Sequence, residues 1–246
     1  MKAKNNIIVL EGRNMVRDAL VSDNKIISVM ISTSSLNDLR IQEIETMAKK
    51  KGIIIEHVRP EQIEHHADSG NPQGVIAQME LPPTPTLEEI IRNKPNAFIL
   101  LFNKLDYEQN LGAILRSSWA AGVDAVVVTP SAGVHEITPV VAKVSQGGAA
   151  YVPLIQQSLF LALTIIRKNA IPVVGVEVDM GLDYTKQNLT GPVALVFGGE
   201  SSGLTEPLQK YCDLFINIPM VESVASLNVS VATALIIFEK TRQERI

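Results

Sequence analysis

The C-terminal part of the chain contains short, continuous apolar runs separated by longer stretches with helical spacing. The apolar runs are rich in Val, Ile, Leu and Phe, and they lie at residues 97–102, 125–129, 171–178, 193–197 and 214–218. Runs of this length without polar alternation are typical of parallel strands that are buried on both faces of a sheet. The stretches with helical spacing lie at residues 111–121, 158–169, 205–211 and 227–245. Strands that alternate with helices in this way predict an α/β fold built on a parallel sheet.

The N-terminal part shows a shorter alternation of the same element types. Segments with the composition of strands lie at residues 26–31, 53–58 and 73–78. Residues 16–20 are predicted to form the end of one helix. A second helix is predicted from about Leu36 to Lys51, and Gly52, a residue that commonly ends helices, follows it. These elements predict a small α/β module, and nothing in it suggests catalysis.

A proline-rich segment separates the two parts. Residues 81–86 contain three prolines in four positions. Because proline lacks a backbone donor and fixes φ, neither a helix nor a central strand can continue through this segment. The sequence therefore predicts a small α/β domain at residues 1–80, a proline-rich linker at 81–95 and a larger α/β domain at 96–246.

Composition narrows the class of protein. The 246 residues carry a formal net charge of −4 and include one cysteine, Cys212, so no disulfide can form within the chain. No apolar run reaches the roughly 18 residues of a membrane-spanning helix and no secretory signal is recognised, so we expect a cytoplasmic protein. The acidic balance argues against nucleic-acid binding through bulk charge, but it does not exclude a local basic groove. His65 and His66 are adjacent and have no cysteine nearby, so no metal site is predicted.

The first segment with candidate chemistry is residues 103–116, which follow a predicted strand. Open parallel sheets bind ligands at the carboxyl ends of their strands. Asn110 lies near a helix start, and Arg116 lies six residues later on an otherwise apolar helix. An arginine buried there would need an acidic partner or an anionic ligand, because an unpaired buried charge is unfavourable. An internal salt bridge and an ordinary asparagine cap would explain the same residues.

Two further segments follow predicted strands. Residues 195–204 run into a glycine-rich turn with one carboxylate, Glu200. The glycines suit either close approach of a ligand or a tight turn, and the segment matches neither the dinucleotide-binding fingerprint nor the P-loop. Residues 218–232 join a strand to the last helix, where Ser226 or Asn228 could serve as the N-cap. A cap alone leaves the density of polar residues at this junction unexplained.

Together, the three segments resemble the SpoU family of the SPOUT superfamily, whose members are S-adenosylmethionine-dependent RNA ribose 2′-O-methyltransferases. The family's motifs are similar, in order, to residues 110–116, to residues 195–203 with Glu200, and to residues 218–220 continued by 226–230. The resemblance covers residues 96–246 and implies a parallel sheet whose C-terminal segment is threaded into a deep trefoil knot. Glu222 departs from the pattern, because a glycine is common at this place in the family.

The resemblance also implies which residues form the site. S-adenosylmethionine would lie in the knot against Phe197, Gly198, Gly199, Ile218, Met220, Ser226 and Leu227. The catalytic group would comprise Asn110, Arg116, Glu200, Ser226 and Asn228. A forked and permanently charged guanidinium suits the phosphate beside the reacting ribose, so we expect Arg116 to orient that phosphate rather than to act as the base.

The N-terminal part resembles the substrate-recruiting domain of one branch of the family. Residues 11–20 and 73–75 are similar to the small domain of enzymes that methylate a guanosine in large-subunit ribosomal RNA. The implied partners are RNA and a second copy of the chain, paired through the C-terminal domain, with no role for DNA or a membrane. The last helix favours pairing, because its apolar residues spread around most of its circumference, although enclosure within one domain would explain this too. Methylation of tRNA and a non-catalytic role in ribosome assembly are the alternative functions.

Overall fold

The structure, a computed structural model, describes residues 7–22, 25–67, 72–199 and 203–245. The chain divides into two units, one formed by Met1–Pro83 with Ile137–Ala150 and the other by Thr84–Glu136 with Tyr151–Ile246. Within the described ranges, no helix is long and apolar enough to cross a bilayer.

Eleven strands and ten α-helices are assigned among the described residues. The strands are β1 Ile7–Glu11, β2 Lys25–Ser32, β3 Ile54–Val58, β4 Val75–Glu80, β5 Phe98–Phe102, β6 Ala125–Val128, β7 Leu154–Gln156, β8 Val173–Val176, β9 Leu182–Asp183, β10 Val193–Phe197 and β11 Leu214–Asn217. The helices are α1 Arg13–Val21, α2 Leu39–Lys50, α3 Pro60–His66, α4 Leu87–Asn93, α5 Glu108–Ala121, α6 Pro139–Ser145, α7 Gly148–Tyr151, α8 Leu159–Lys168, α9 Glu206–Gln209 and α10 Val229–Glu244.

The first unit contains a four-stranded sheet in the order β1-β4-β2-β3. β2 and β3 are parallel, and the other neighbouring strands are antiparallel. Helices α1 and α2 pack against each other and bury Val16, Leu20, Ile41 and Ile44. The small α/β domain predicted at the N-terminus is therefore confirmed.

The sequence pattern does not predict β1, α3 or the position of α6. β1 is a run of only four apolar residues before Glu11, and α3 buries only Ile63, so neither shows a clear period. α6 packs against β1, which places residues 137–150 in the first unit. This contact joins segments that are far apart in the sequence, and no local pattern reveals such a contact.

The second unit contains a seven-stranded sheet in the order β7-β6-β5-β10-β8-β11-β9. All its neighbouring strands are parallel. All five residues of β5 and of β10 are buried, as expected for strands that are covered on both faces. The parallel sheet predicted from the apolar runs is confirmed. β7 and β9 are additional strands of three and two residues, which are too short to form a recognisable run.

The segment predicted as a linker is only partly irregular. Residues 81–86 form no regular element, but α4 begins directly after Thr86. The Thr86 hydroxyl accepts a hydrogen bond from the Glu89 backbone N–H at 3.2 Å, and the Glu89 carboxylate accepts one from the Thr86 N–H at 2.8 Å. Leu87 and Ile90 are buried in the core of the second unit. α4 therefore belongs to this unit rather than to a linker.

The last helix, α10, packs against α5. Ile236 and Ile237 are fully buried, whereas Val231, Leu235 and Phe238 are 48%, 40% and 46% exposed. These last three residues recur at the spacing of one helical face, so they form a single apolar stripe, the α10 stripe, that the described residues leave half exposed.

Candidate active site

Three neighbouring strands of the second sheet end at the candidate site. β10, β8 and β11 are adjacent in that order, and they end at Phe197, Val176 and Asn217. Because these strands are parallel, the loops after them leave the same edge of the sheet, where open α/β sheets bind ligands. Two of the three loops are the second and third motif segments identified in the sequence.

These loops line a cavity of about 320 Å³. The seven residues implied for cofactor binding all line it, namely Phe197, Gly198, Gly199, Ile218, Met220, Ser226 and Leu227. The volume lies within the range of small-molecule sites, which are mostly apolar with a few polar groups. The structure therefore brings the whole predicted cofactor set to one place.

The turn after β10 depends on glycine. The Gly199 N–H donates to the Gly203 carbonyl at 3.1 Å, and the Gly203 N–H donates to the Gly199 carbonyl at 3.0 Å. A Cβ added at Gly198 would lie 2.1 Å from the carbonyl carbon of Gly203. The chain can approach itself this closely only because Gly198 has no side chain. Glu200 lies outside the described residues, so its catalytic role stays a prediction.

One acidic residue of the cavity was missed by the sequence reasoning. Glu177 follows β8 directly, and it is the one charged side chain among the described residues that line the cavity. Its carboxylate accepts a hydrogen bond from the backbone N–H of Leu204, just beyond the glycine turn. The apolar run at 171–178 predicts a strand through this position. The signal that could have identified it is a single carboxylate near the end of an otherwise apolar run.

Asn110 and Asn228 join the first and third motif segments. The Asn228 Nδ2 donates to the Asn110 Oδ1 at 3.0 Å, and Asn110 is only 6% exposed at the start of α5. The Asn228 Oδ1 caps α10 by accepting from the Ser230 backbone N–H at 2.8 Å. Asn228 is thus an N-cap, as one interpretation of the sequence held, and it also lines the cavity. Ser226, two residues earlier, is exposed on the same cavity wall.

Arg116 is exposed, which corrects the expectation that its charge is buried. The buried face of α5 is formed by Asn110, Leu111, Gly112, Ile114, Leu115 and Ser118. Residue 116 lies away from this face, and helical rise places it about 9 Å along the axis from Asn110. In the part of the chain that the structure describes, no ion pair or side-chain hydrogen bond involves Arg116, and it does not line the cavity. In the described residues Arg116 therefore makes no direct hydrogen bond to the asparagine pair, and burial does not force a partner on its guanidinium.

The chain's one cysteine, Cys212, precedes the start of β11 and lies toward the opposite edge of the sheet from the candidate site. Burial, together with the carboxylates of Asp213 and Glu177, raises the pKa of Cys212 to about 11. The thiolate is the nucleophilic form of cysteine, and a thiol with so high a pKa stays protonated at neutral pH. Cys212 is therefore not prepared for nucleophilic catalysis.

Comparison with known proteins decides the family. Residues 97–238 match the profile of the SpoU rRNA Methylase family, and this match covers more than half of the chain. The chain belongs to the SpoU family. Residues 9–85 match a second profile, described as RNA 2'-O ribose methyltransferase substrate binding. Both units of this SpoU protein thus have counterparts in RNA methyltransferases.

Relatives of similar length support the SpoU assignment. A Haemophilus influenzae protein named 23S rRNA (guanosine-2'-O-)-methyltransferase RlmB is 36% identical over 90% of this chain and 92% of its own length. A Staphylococcus saprophyticus protein named as a TrmH family tRNA/rRNA methyltransferase is 31% identical over 96% of each chain. The SpoU protein described here is therefore an RNA 2′-O-ribose methyltransferase.

Solved structures share the fold of the SpoU protein. A crystal structure of an RNA 2'-O ribose methyltransferase superposes with a TM-score of 0.82 at 30% identity, covering 98% of this chain and 90% of that one. The SpoU methyltransferase AviRb from Streptomyces viridochromogenes, solved in complex with AdoMet, gives a TM-score of 0.78 at 22% identity over 97% of this chain and 90% of its own. At that identity, the likeness to AviRb shows the fold alone.

Proposed function

We propose that this protein methylates the ribose 2′-hydroxyl of a guanosine in large-subunit ribosomal RNA, with S-adenosylmethionine as the methyl donor. The observation that carries the proposal is the cavity of about 320 Å³ lined by the loops after β8, β10 and β11. The choice of RNA rests on relatives such as the Photobacterium profundum protein named 23S rRNA (guanosine-2'-O-)-methyltransferase RlmB, 32% identical over 96% of this chain.

The cavity fits the donor in size and in chemistry. Ile218, Met220 and Leu227 provide apolar side chains that suit an adenine ring, and Gly198 and Gly199 leave main-chain groups open to hydrogen bonding. When bound, S-adenosylmethionine supplies a methyl group that its sulfonium charge activates toward a nucleophile. The protein's remaining task is to align the ribose hydroxyl and to stabilise the charge that forms on its oxygen.

We assign the phosphate beside the reacting ribose to Arg116. Its guanidinium is exposed and offers a fork of donors that matches a phosphate. A cation held there also favours the ionised form of the neighbouring hydroxyl. Asn110 and Asn228 would keep the starts of α5 and α10 together, while Ser226 orients the loop after β11. Glu200 would pair with Arg116 or Asn110.

Arg116→Ala should lower the rate of methyl transfer by about 100-fold or more, which is typical of losing one group that stabilises charge in the transition state. The affinity for S-adenosylmethionine should stay within a few fold, because Arg116 does not line the cavity. Single-turnover methylation and calorimetric titration of the donor measure the two effects. Arg116→Lys keeps the charge without the fork and should be intermediate. Normal turnover in the alanine variant would remove Arg116 from the mechanism.

In this proposal the first unit recruits the RNA, and the second carries out the reaction. The domains predicted at residues 1–80 and 96–246 would perform these roles, although the first unit of the structure also includes residues 137–150 and the second unit begins at Thr84. The second unit would also contain the trefoil knot that the family resemblance implies, with the C-terminal segment of the chain passing through it.

We further propose a homodimer paired through the second unit. Supporting it, Val231, Leu235 and Phe238 of the α10 stripe are each at least 40% exposed, and a second copy would remove this apolar surface from water. Arg116 of one chain would then work near the cavity of the other. Sedimentation should give twice the chain mass of 26.8 kDa, and a monomer mass would contradict the proposal. Mixing Arg116→Ala chains with Gly198→Ala chains should restore partial activity if the sites are shared.

The RNA substrate is tested by mapping ribose methylation across total RNA from cells with and without the gene. We expect the loss of methylation at a guanosine of large-subunit ribosomal RNA. Loss at a tRNA position would favour the second candidate, tRNA methylation, which the name of the Staphylococcus saprophyticus relative includes. An unchanged map would contradict both substrates.

A further inference from the structure

We infer that Glu177 gives the cofactor cavity a preference for S-adenosylmethionine over its demethylated product, S-adenosylhomocysteine. The inference rests on the proposed placement of the donor in this cavity. The two molecules share the adenosine and the amino-acid part, and they differ by one methyl group and by the positive charge of the sulfonium. A site that separates them by affinity must respond to the methyl group or to the charge.

The charge distribution of the cavity favours a cation. Among the described lining residues, Glu177 has the one charged side chain, and the others are apolar residues, glycines, Ser226 and Asn228. Glu177 is partly buried, so water screens its carboxylate less than it screens a fully exposed one. A negative charge in this wall stabilises the cationic donor and does nothing comparable for the neutral thioether product.

Glu177 is also held in place. Its backbone N–H donates to the Ile216 carbonyl of β11 at 3.1 Å, which anchors the residue to that strand. Its carboxylate accepts from the Leu204 N–H, and both carboxylate oxygens lie 3.0 Å from where a Cβ at Gly203 would be. The carboxylate therefore rests against the glycine turn that forms another part of the cavity wall. A carboxylate has about four acceptor positions, so this N–H leaves it capacity for further contacts.

As a consequence, the cavity loses affinity for the bound molecule when the methyl group is transferred to the RNA. When the methyl group leaves, the sulfur loses its positive charge, and the attraction to Glu177 disappears with it. Glu177 is thus a specificity-determining residue that helps the product to leave and reduces inhibition by it. The groups that react do not include Glu177.

The test compares the affinities of the two molecules in the wild type and in Glu177→Gln, measured by isothermal titration calorimetry. Glutamine keeps the shape of the side chain, and its Oε1 can still accept from the Leu204 N–H, so the substitution removes mainly the charge. We expect S-adenosylmethionine to bind about 10-fold more weakly and S-adenosylhomocysteine to stay within about 2-fold, as for the loss of one partly screened charge. Asp179→Asn removes an exposed carboxylate two residues away that does not line the cavity, and it should leave the ratio of affinities unchanged.

An equal loss of affinity for both molecules in Glu177→Gln would overturn the inference, because the residue would then serve a part that they share. An unchanged ratio would overturn it as well. Salt provides a test that needs no variant: in the wild type, the preference for S-adenosylmethionine should fall as NaCl is raised, and a constant preference would count against a charge effect. Donor binding that survives Gly198→Ala unchanged would instead remove the donor from this cavity, and the proposed cofactor site would fail with it.

Discussion

Asn228→Ala should destabilise the second unit by about 2 kcal/mol, because one side chain makes two separate contributions. Its Oδ1 caps α10 through the Ser230 N–H at 2.8 Å, and the loss of an asparagine cap costs about 1 kcal/mol. Its Nδ2 donates to the Asn110 Oδ1 at 3.0 Å in a place where Asn110 is 6% exposed. A hydrogen bond to a buried amide contributes about 1 kcal/mol more.

Two further variants separate the contributions. Asn228→Ser keeps a capping oxygen but has no amide donor, so it should lose only about 1 kcal/mol. Asn110→Ala removes the other partner of the bond between α5 and α10. In the double variant Asn110→Ala/Asn228→Ala, the total loss of stability should be about 1 kcal/mol smaller than the sum of the two single losses. The bond between the two side chains is counted in both single variants but is lost only once in the double variant.

The fluorescence of Trp119 makes the measurement specific to the second unit. It is the chain's one tryptophan, it lies on α5, and its ring stacks on Tyr151 with 4.3 Å between ring centroids. Urea unfolding followed at this residue gives the free energy of unfolding from the midpoint and slope, and an unchanged slope confirms that only stability has changed.

Two outcomes would refute the reasoning. If the effects of the single variants add in the double variant to within about 0.3 kcal/mol, the two amides are not coupled. If Asn228→Ser is as unstable as Asn228→Ala, the cap contributes nothing to the second unit.

Two other predictions follow from local geometry. Gly198→Ala should abolish binding of S-adenosylmethionine, because its Cβ would lie 2.1 Å from the carbonyl carbon of Gly203 and force the turn open; calorimetry of the donor measures this, and unchanged affinity contradicts it. The pKa of Glu239 is lowered from 4.5 to about 2, first by the hydrogen bonds from Arg242 and then by that from Gln243. Because the pKa of Glu239 is lower in the folded state than in the unfolded state, its carboxylate stabilises the fold at pH values above 4.5. This stabilisation is lost as the pH falls from 4.5 toward about 2. Over that range the wild type should lose on the order of 1 kcal/mol more than Glu239→Gln, and parallel pH profiles of unfolding free energy would contradict this.

The fold of the second unit was predictable because several of its strands are fully buried. A continuous apolar run needs no knowledge of its neighbours, and β5 and β10, in which every residue is buried, show such runs most clearly. Short elements at the sheet edges, such as β7 and β9, have too few residues to carry a signal. The trefoil knot and the homodimer remain predictions, since they depend on threading and on a second chain.

Arg116 was misjudged and Glu177 was missed, for different physical reasons. The number of apolar residues around Arg116 suggests that the arginine is buried. However, Leu111, Ile114, Leu115 and Ser118 already complete one helical face, and residue 116 lies off that face. The helical period in the sequence contained this information.

For Glu177 the sequence of its own strand was not sufficient. The apolar run continues to Val178, yet the pairing of β8 with β10 ends at Val176, opposite Phe197. The pairing with β10, a strand about 20 residues further along the chain, therefore ends just before Glu177 and leaves that residue at the carboxyl edge of the sheet. The motif loops after β10 and β11 were recognised because they resemble a family, whereas Glu177 precedes both motifs. Its place in the cavity follows only from the order β10-β8-β11, which sets the end of β8 between the two motif loops. Strand order, and not a motif, thus places a charge in the cavity wall, where it can tune the affinity for a cofactor without altering the groups that react.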